Sequence, residues 1–233
     1  MTTQEFSIEF DILYNNLASN TAPPINEYEK SVFLTKAQSD IVLELYSGRN
    51  QLGLSFESNE EVRHYLAPLG TSADCEISVK GENIGSTVKV LVSSIDLSSF
   101  LVITREILLE KGSSSNSYKR VIPVPQDDII SLINNPFRGP SNTRALRVSE
   151  NNETHLLVKG DDIKTYTYKV YGLKKPSPII LEICGIAEGD LSIDGVDCIQ
   201  PSNGDLPDSL HNMILERAVL LAKQAYIGGQ TQS

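Results

Sequence analysis

The sequence predicts an α+β protein in which helices from the N- and C-terminal ends form a helical bundle around a β-rich insert. Three observations carry this. Apolar residues recur at helical spacing in the first 72 residues and again after residue 203. Between them, short β-branched runs alternate with clusters of Gly, Ser, Asn and Pro. Neither end alone holds enough apolar partners to bury its own stripe, so the ends are expected to pack together. The expected domains are therefore residues 1–72 with 203–233, helical, and residues 73–202, β-rich.

The first helix follows from Phe6, Phe10, Leu13, Tyr14 and Leu17, which fall on one face, with Glu5 near the positive end of the helix dipole. Asn20 to Pro24 breaks it. Asn26 and Glu29 have capping-box spacing and start a second helix, whose expected buried face is Val32, Phe33, Ala37, Ile41 and Leu45 and whose stop is Gly48. Ser58 and Glu61 repeat that spacing ahead of Val62, Tyr65, Leu66 and Leu69. Strands are expected at Cys75–Lys80, Thr87–Val92, Phe100–Leu109, Tyr118–Val124, Ala145–Val148, His155–Lys159, Thr165–Tyr171 and Ile179–Ile183. Tyr166, Tyr168 and Val170 alternate with polar neighbours, as a strand with one wet face does. Lys111–Ser117 has no apolar residue and reads as a mobile tip, and Asp127–Ile133 as a short helical stretch. A last helix runs from about Pro207 to Ile227, with Asp205 as N-cap and Gly228-Gly229 as stop. Leu210, Ile214, Ala218, Leu221, Ala222 and Ala225 form one stripe, while Met213, Leu220 and Ile227 are apolar outside it. A helix apolar on two sides is expected to be covered on two sides, by its own core and by a neighbour.

The 233 residues carry 30 acidic and 20 basic side chains, a net charge of −10. That balance argues against a domain that grips nucleic acid, which shows a basic face, but not against one that surrounds it. Cys75, Cys184 and Cys198 are odd in number and lack CxxC spacing, as inert thiols in a reducing compartment do. Residues 1–10 have no basic n-region or apolar h-region, and no run of 18 apolar residues exists, so neither a signal peptide nor a membrane span is expected.

Catalytic constellations are equally sparse. His64, His155 and His211 lie far apart and outside metal spacings. Glu188, Asp190, Asp194 and Asp197 cluster near glycines but miss the EF-hand pattern, so a solvated acidic loop is expected. There is no phosphate loop and no nucleophile elbow. Three basic groups stand out in an acidic chain: Lys119-Arg120, Lys174-Lys175, and Arg138 with Arg144 and Arg147.

The order of several motifs carries a resemblance. Gln4-Glu5-Phe6 and Tyr14-Asn15-Asn16 lead into Glu27-Tyr28-Glu29-Lys30-Ser31 and Leu34-Thr35-Lys36-Ala37-Gln38. Asn135-Pro136-Phe137-Arg138-Gly139-Pro140, Tyr168-Lys169-Val170-Tyr171 and Pro176-Ser177-Pro178-Ile179-Ile180-Leu181 follow. Leu206-Pro207 through His211, with Ile214 to Val219, closes the series. This succession, over most of the chain, resembles virion proteins of crAss-like tailed bacteriophages of the head-to-tail connector type (neck ring or adaptor).

The resemblance implies a non-enzymatic subunit without cofactors. Its expected partners are further copies in a ring (a dodecamer), the portal protein and other tail or neck ring proteins. Double-stranded DNA passes through transiently, and no membrane is involved. The expected location is the neck or tail of the virion, with assembly in the host cytoplasm. Interface positions do not transfer by motif. The apolar last helix suggests Leu210, Met213, Ile214, Ala218, Leu221, Tyr226 and Ile227 for oligomer or partner contacts. The basic spots suggest Lys119, Arg120, Arg138, Lys174 and Lys175 as docking or DNA-channel contacts. Two other readings stay open: another tail or neck ring or a tail-tube subunit, and a metal-dependent enzyme built on the acids from Asp190 to Asp197.

Overall fold

The computed structural model describes residues 1–17, 24–49, 55–77, 79–84, 88–111, 118–150, 153–159, 165–182, 191–198 and 200–230; at 16–17, 79–84 and 227–230 only the backbone is described. In chain order come α1 (Thr3–Leu17), α2 (Glu27–Ser47), α3 (Glu60–Leu66), β1 (Gly70–Ile77), β2 (Val79–Ile84), β3 (Val88–Ser93), β4 (Phe100–Glu110) and β5 (Tyr118–Pro123). Then follow α4 (Ile129–Ile133), β6 (Arg144–Glu150), β7 (Glu153–Lys159), β8 (Tyr166–Lys174), β9 (Ile179–Ile180), β10 (Ser192–Ile193), β11 (Val196–Asp197), β12 (Ser202–Asn203) and α5 (His211–Gln230). The class is α+β. The chain divides into a unit of residues 1–69 with 175–233 and a unit of residues 70–174.

The first unit is built on α2. Asn26 Oδ1 accepts from the Glu29 amide at 2.8 Å and Glu29 Oε2 accepts from the Asn26 amide at 3.1 Å, so the capping box forms. α5 packs on both α1 and α2. From α1 come Phe6, Phe10 and Tyr14, buried at i, i+4 and i+8. The buried face of α2 differs from the expected one: Val32 is exposed, while Lys30, Ser31, Leu34, Thr35 and Gln38 are buried. The reason is that α2 serves as a hydrogen-bonding partner for the segment around β9. Thr35 Oγ1 accepts from the Ile179 amide at 3.1 Å, and Ser31 Oγ accepts from the Leu181 amide at 3.0 Å. Buried main-chain amides require partners, and these two hydroxyls supply them. Among the described residues β9 itself pairs with β12 alone.

Because β9 and β12 belong with α2, the chain rejoins the helical unit at Lys175, not near residue 203. The expected strand at Ile179–Ile183 is therefore short and lies outside the large sheet. Other boundaries shift for local reasons. Asn59, not Ser58, caps α3 through the Glu61 amide at 2.7 Å. Asp205 does not cap the last helix; its carboxylate accepts from the Ser177 amide and hydroxyl, at 3.0 and 2.9 Å. α5 begins after one turn of 3-10 helix, Asp208–Leu210, and its backbone runs through Gly228-Gly229 to Gln230.

Among the described residues the second unit holds one eight-stranded sheet, in the order β1-β8-β4-β5-β6-β7-β3-β2. Every pairing is antiparallel except β5 with β6. The expected strand Cys75–Lys80 is two strands, since β1 pairs with β8 and β2 with β3. The sheet curls so far that Cys75 Sγ on β1 lies 3.3 Å from Ser93 Oγ on β3. Alternation then sorts side chains to two faces. Leu91, Leu108, Val121, Ala145, Leu156, Tyr166, Tyr168 and Val170 fill the inside. Val88, Val90, Leu146, Val148 and Leu157 point outward, under Ile129, Leu132 and Ile133 of α4.

Candidate functional site

α5 divides its apolar residues between two environments. Leu210, Ile214 and Ala218 are buried inside their own unit, with Leu215, Val219 and Ala222 beside them. This corrects the expectation that those three face a neighbour: α1 and α2 already cover them. Met213 and Leu220, 44% and 49% exposed, lie on the opposite side. Between them Arg217 reaches back to Glu44 on α2 at 2.7 Å. Leu221 and Tyr226 are half-exposed, and the Ile227 side chain lies outside the described residues. Ile8 and Ile12 add an exposed apolar pair one turn apart on α1.

The Asn135–Pro140 loop is held more firmly than its exposure suggests. Asn135 Oδ1 accepts from the amides of Phe137 and Arg138, at 2.9 and 3.1 Å, and the Gly139 amide donates to Asn135 O at 2.8 Å. Arg144 donates from Nε to Gly139 O and from Nη2 to Phe137 O. A Cβ at Gly139 would stand 2.5 Å from Leu132 O and 2.6 Å from Asn135 O, so only glycine fits that close approach. On this platform Phe137 is 85% exposed, with Ile130 at 81% and Arg138 also in solvent. The loop backbone that carries the Phe137 ring is thus fixed by hydrogen bonds.

The basic spots separate. Lys119 is not a docking contact: it is buried, and its ammonium donates to Ser141 O and Asn142 O at 3.2 and 2.9 Å. A buried charge needs such acceptors. Arg144 is spent on the loop. Arg147 lies inside the sheet, where its Nε is 2.9 Å from Glu106 Oε2, and Tyr168 donates its hydroxyl to the same oxygen at 2.6 Å. Burial, then the hydrogen bond to Glu106 and the charge of that carboxylate, pushes the Tyr168 phenol far above its ordinary range. Arg120, Arg138 and Lys175 remain exposed, and Lys174 is half-buried. The sequence held a signal for the inner trio: Arg147 keeps the parity of Ala145, and Glu106 that of Leu108, both inward positions.

His211 is buried under Phe6, with ring centroids 5.0 Å apart. Its Nε2 lies 3.2 Å from Leu206 O and its Nδ1 3.0 Å from the Met1 amino group, so neutral imidazole fits as donor to the first and acceptor from the second. Burial, then the Met1 charge, lowers its pKa below 6.5. Lys30, also buried, is held above its ordinary range: burial opposes this, but Asp11 and Glu27 at 2.8 and 2.9 Å outweigh it. Asp194 and Asp197 lie in the β10–β11 hairpin, while Glu188 and Asp190 fall outside the described residues. Among the described residues no three His, Cys, Asp or Glu side chains converge on a metal-sized site, and no helix is long and apolar enough to cross a membrane.

The outer side of α5 and the Asn135–Pro140 loop thus present apolar and aromatic side chains to solvent. The family model for phage tail ring protein 3/4 matches residues 1–233. The chain belongs to this ring protein family. It is similar to ring protein 3 of Bacteroides phage crAss001, 36% identical over 227 residues, 95% of each chain. It is also similar to ring protein 4/5 of the same phage, 33% identical over 232 residues, 98% of this chain and 94% of the relative. Both alignments run through the helical and the sheet unit.

Proposed function

We propose that the chain is a non-enzymatic virion subunit that closes into a ring in the neck or tail of a phage particle. The full-length similarity to two different ring proteins of one phage carries this reading. It also suggests that neighbouring rings are built from related subunits, so that this ring stacks on others of its own fold. In the same reading the stack docks to the portal and continues the DNA channel, and a dodecamer is the expected copy number. Three packed helices supply the bundle-like frame, and Phe137, Ile130 and Arg138 a docking knob. The charge fits a conduit: twelve copies would carry about −120, and a wall with few cations releases few counterions and holds DNA weakly.

Imaging of the assembled particle tests the proposal. The expected result is a closed ring of this chain in the neck or tail, coaxial with the DNA. Absence of the chain from purified particles would overturn it. A ring located far down the tail would keep the ring and remove the portal contact.

A further inference from the structure

One groove in the sheet unit and one exposed hairpin in the helical unit are complementary in charge and both carry apolar side chains. Among the described residues β4 and β5 are paired from Ile107 opposite Arg120 to Leu109 opposite Tyr118. Beyond that point β5 pairs in parallel with β6, β4 keeps to β8, and an open groove of about 660 Å³ separates the two strands. Ile103, Ile107, Leu109 and Tyr118 line it, with Arg105 and Arg120 beside them. The Arg105 guanidinium lies 4.5 Å above the Tyr171 ring, which holds it in place. Glu106 also borders the groove, but its carboxylate is committed to Arg147 and Tyr168. The result is an apolar, cationic surface on a chain of net charge −10.

The β10–β11 hairpin is the converse. Asp194 and Gly195 have φ of 51° and 78°, the geometry that a two-residue Asp-Gly hairpin turn requires. Buried Ile193 anchors it, and the Tyr28 hydroxyl donates to Ser192 O at 3.4 Å. Exposed Val196 stands between exposed Asp194 and Asp197. Among the described residues, a Cβ at Gly195 would meet nothing within 4 Å.

We propose that the 192–197 hairpin of one copy docks in the β4–β5 groove of the next copy. Val196 meets the isoleucine-lined floor, and Asp194 and Asp197 meet Arg105 and Arg120. This rests on the ring reading above. Two different patches on one chain make a head-to-tail contact, which closes into a ring when the rotation allows. Charges at the rim set register and exclude wrong partners. Two cations over an apolar floor are too few for a track along DNA phosphates, so an acidic hairpin is the better occupant.

The test uses particles assembled with variant chains, with copy number measured by quantitative mass spectrometry. Arg120→Asp and Asp197→Arg should each lower incorporation at least tenfold, and the two together should restore it to within threefold of wild type. Circular dichroism melts establish that each variant folds. A variant that does not fold is replaced by Arg120→Lys, which supplies an amine that carbodiimide couples to a carboxylate. A cross-link to Asp194 or Asp197 of another copy is expected, and its absence overturns the proposal. Wild-type rings with unaffected single variants, or no rescue by the pair, also overturn it and leave the ring reading intact. Wild-type chain missing from particles removes both. Normal rings that lose only DNA retention with Arg120→Asp would assign the groove to DNA instead.

Discussion

In the helical unit the buried hydroxyls of Ser31 and Thr35 meet main-chain amides of Leu181 and Ile179, whereas in the sheet unit Glu106, Tyr168 and Arg147 meet one another. The first arrangement satisfies neutral groups with neutral groups, each contact worth about 1 kcal/mol net. The second places a full ion pair under an apolar barrel-like lining. Its value lies less in net stability than in the penalty for breaking it, because an orphaned buried charge is far costlier than an orphaned hydroxyl. Polar burial in the helical unit thus joins one chain segment to another, while in the sheet unit it links side chains of β4, β6 and β8.

The largest effect should come from splitting the trio. Glu106→Ala leaves Arg147 unpaired and should cost about 3–5 kcal/mol in urea unfolding. Replacing all three partners together (Glu106→Leu, Arg147→Met, Tyr168→Phe) should cost far less than the single change or stabilise the fold. Equal losses would show that the pair contributes ordinary packing only. In the helical unit, Thr35→Val keeps shape and removes the acceptor for the Ile179 amide, and should cost about 1–2 kcal/mol. A loss as large as that of Glu106→Ala would erase the contrast.

His211 supplies a gentler probe of the helical unit. Its folded pKa lies below the unfolded 6.5, so the unfolded chain binds the extra proton first. Stability should therefore be constant above 6.5 and fall as pH drops below it. Melting midpoints from pH 7.5 to 5 should show that slope, and His211→Gln should flatten it. The smallest effect on folding should be Phe137→Ala, within about 0.5 kcal/mol of wild type because the ring touches little of its own chain. Its incorporation into particles should nevertheless fall, measured by mass spectrometry. A large stability loss would mean that Phe137 is part of the fold and not an anchor.

Elements with strong periodicity were legible in the sequence: the Phe6, Phe10, Tyr14 stripe, the Asn26 cap, and the alternation through β8. What escaped was polar burial. Ser31, Thr35 and Gln38 count as surface in any apolar pattern, so the polar part of the buried face of α2 is not legible from periodicity. The point where the chain rejoins the helical unit was misplaced for the same reason, since Ile179–Leu181 looks like sheet but satisfies its amides on a helix. Among the arginines, charge alone could not separate Arg138, which faces solvent, from Arg144 and Arg147, which serve the loop and the core.

The position of α5 in the chain has a consequence for synthesis. α1 and α2 emerge first, yet the helix that covers them lies about 140 residues after α3. At 5–20 residues per second the ribosome needs on the order of ten seconds to deliver it. Gly70 pairs with Leu173, so the sheet begins and ends on adjacent strands and can close in that interval without the last helix. Phe6, Phe10 and Leu34 must wait uncovered meanwhile. The nascent chain is therefore most prone to aggregation just before α5 emerges, and that helix is also the one whose outer side carries Met213 and Leu220.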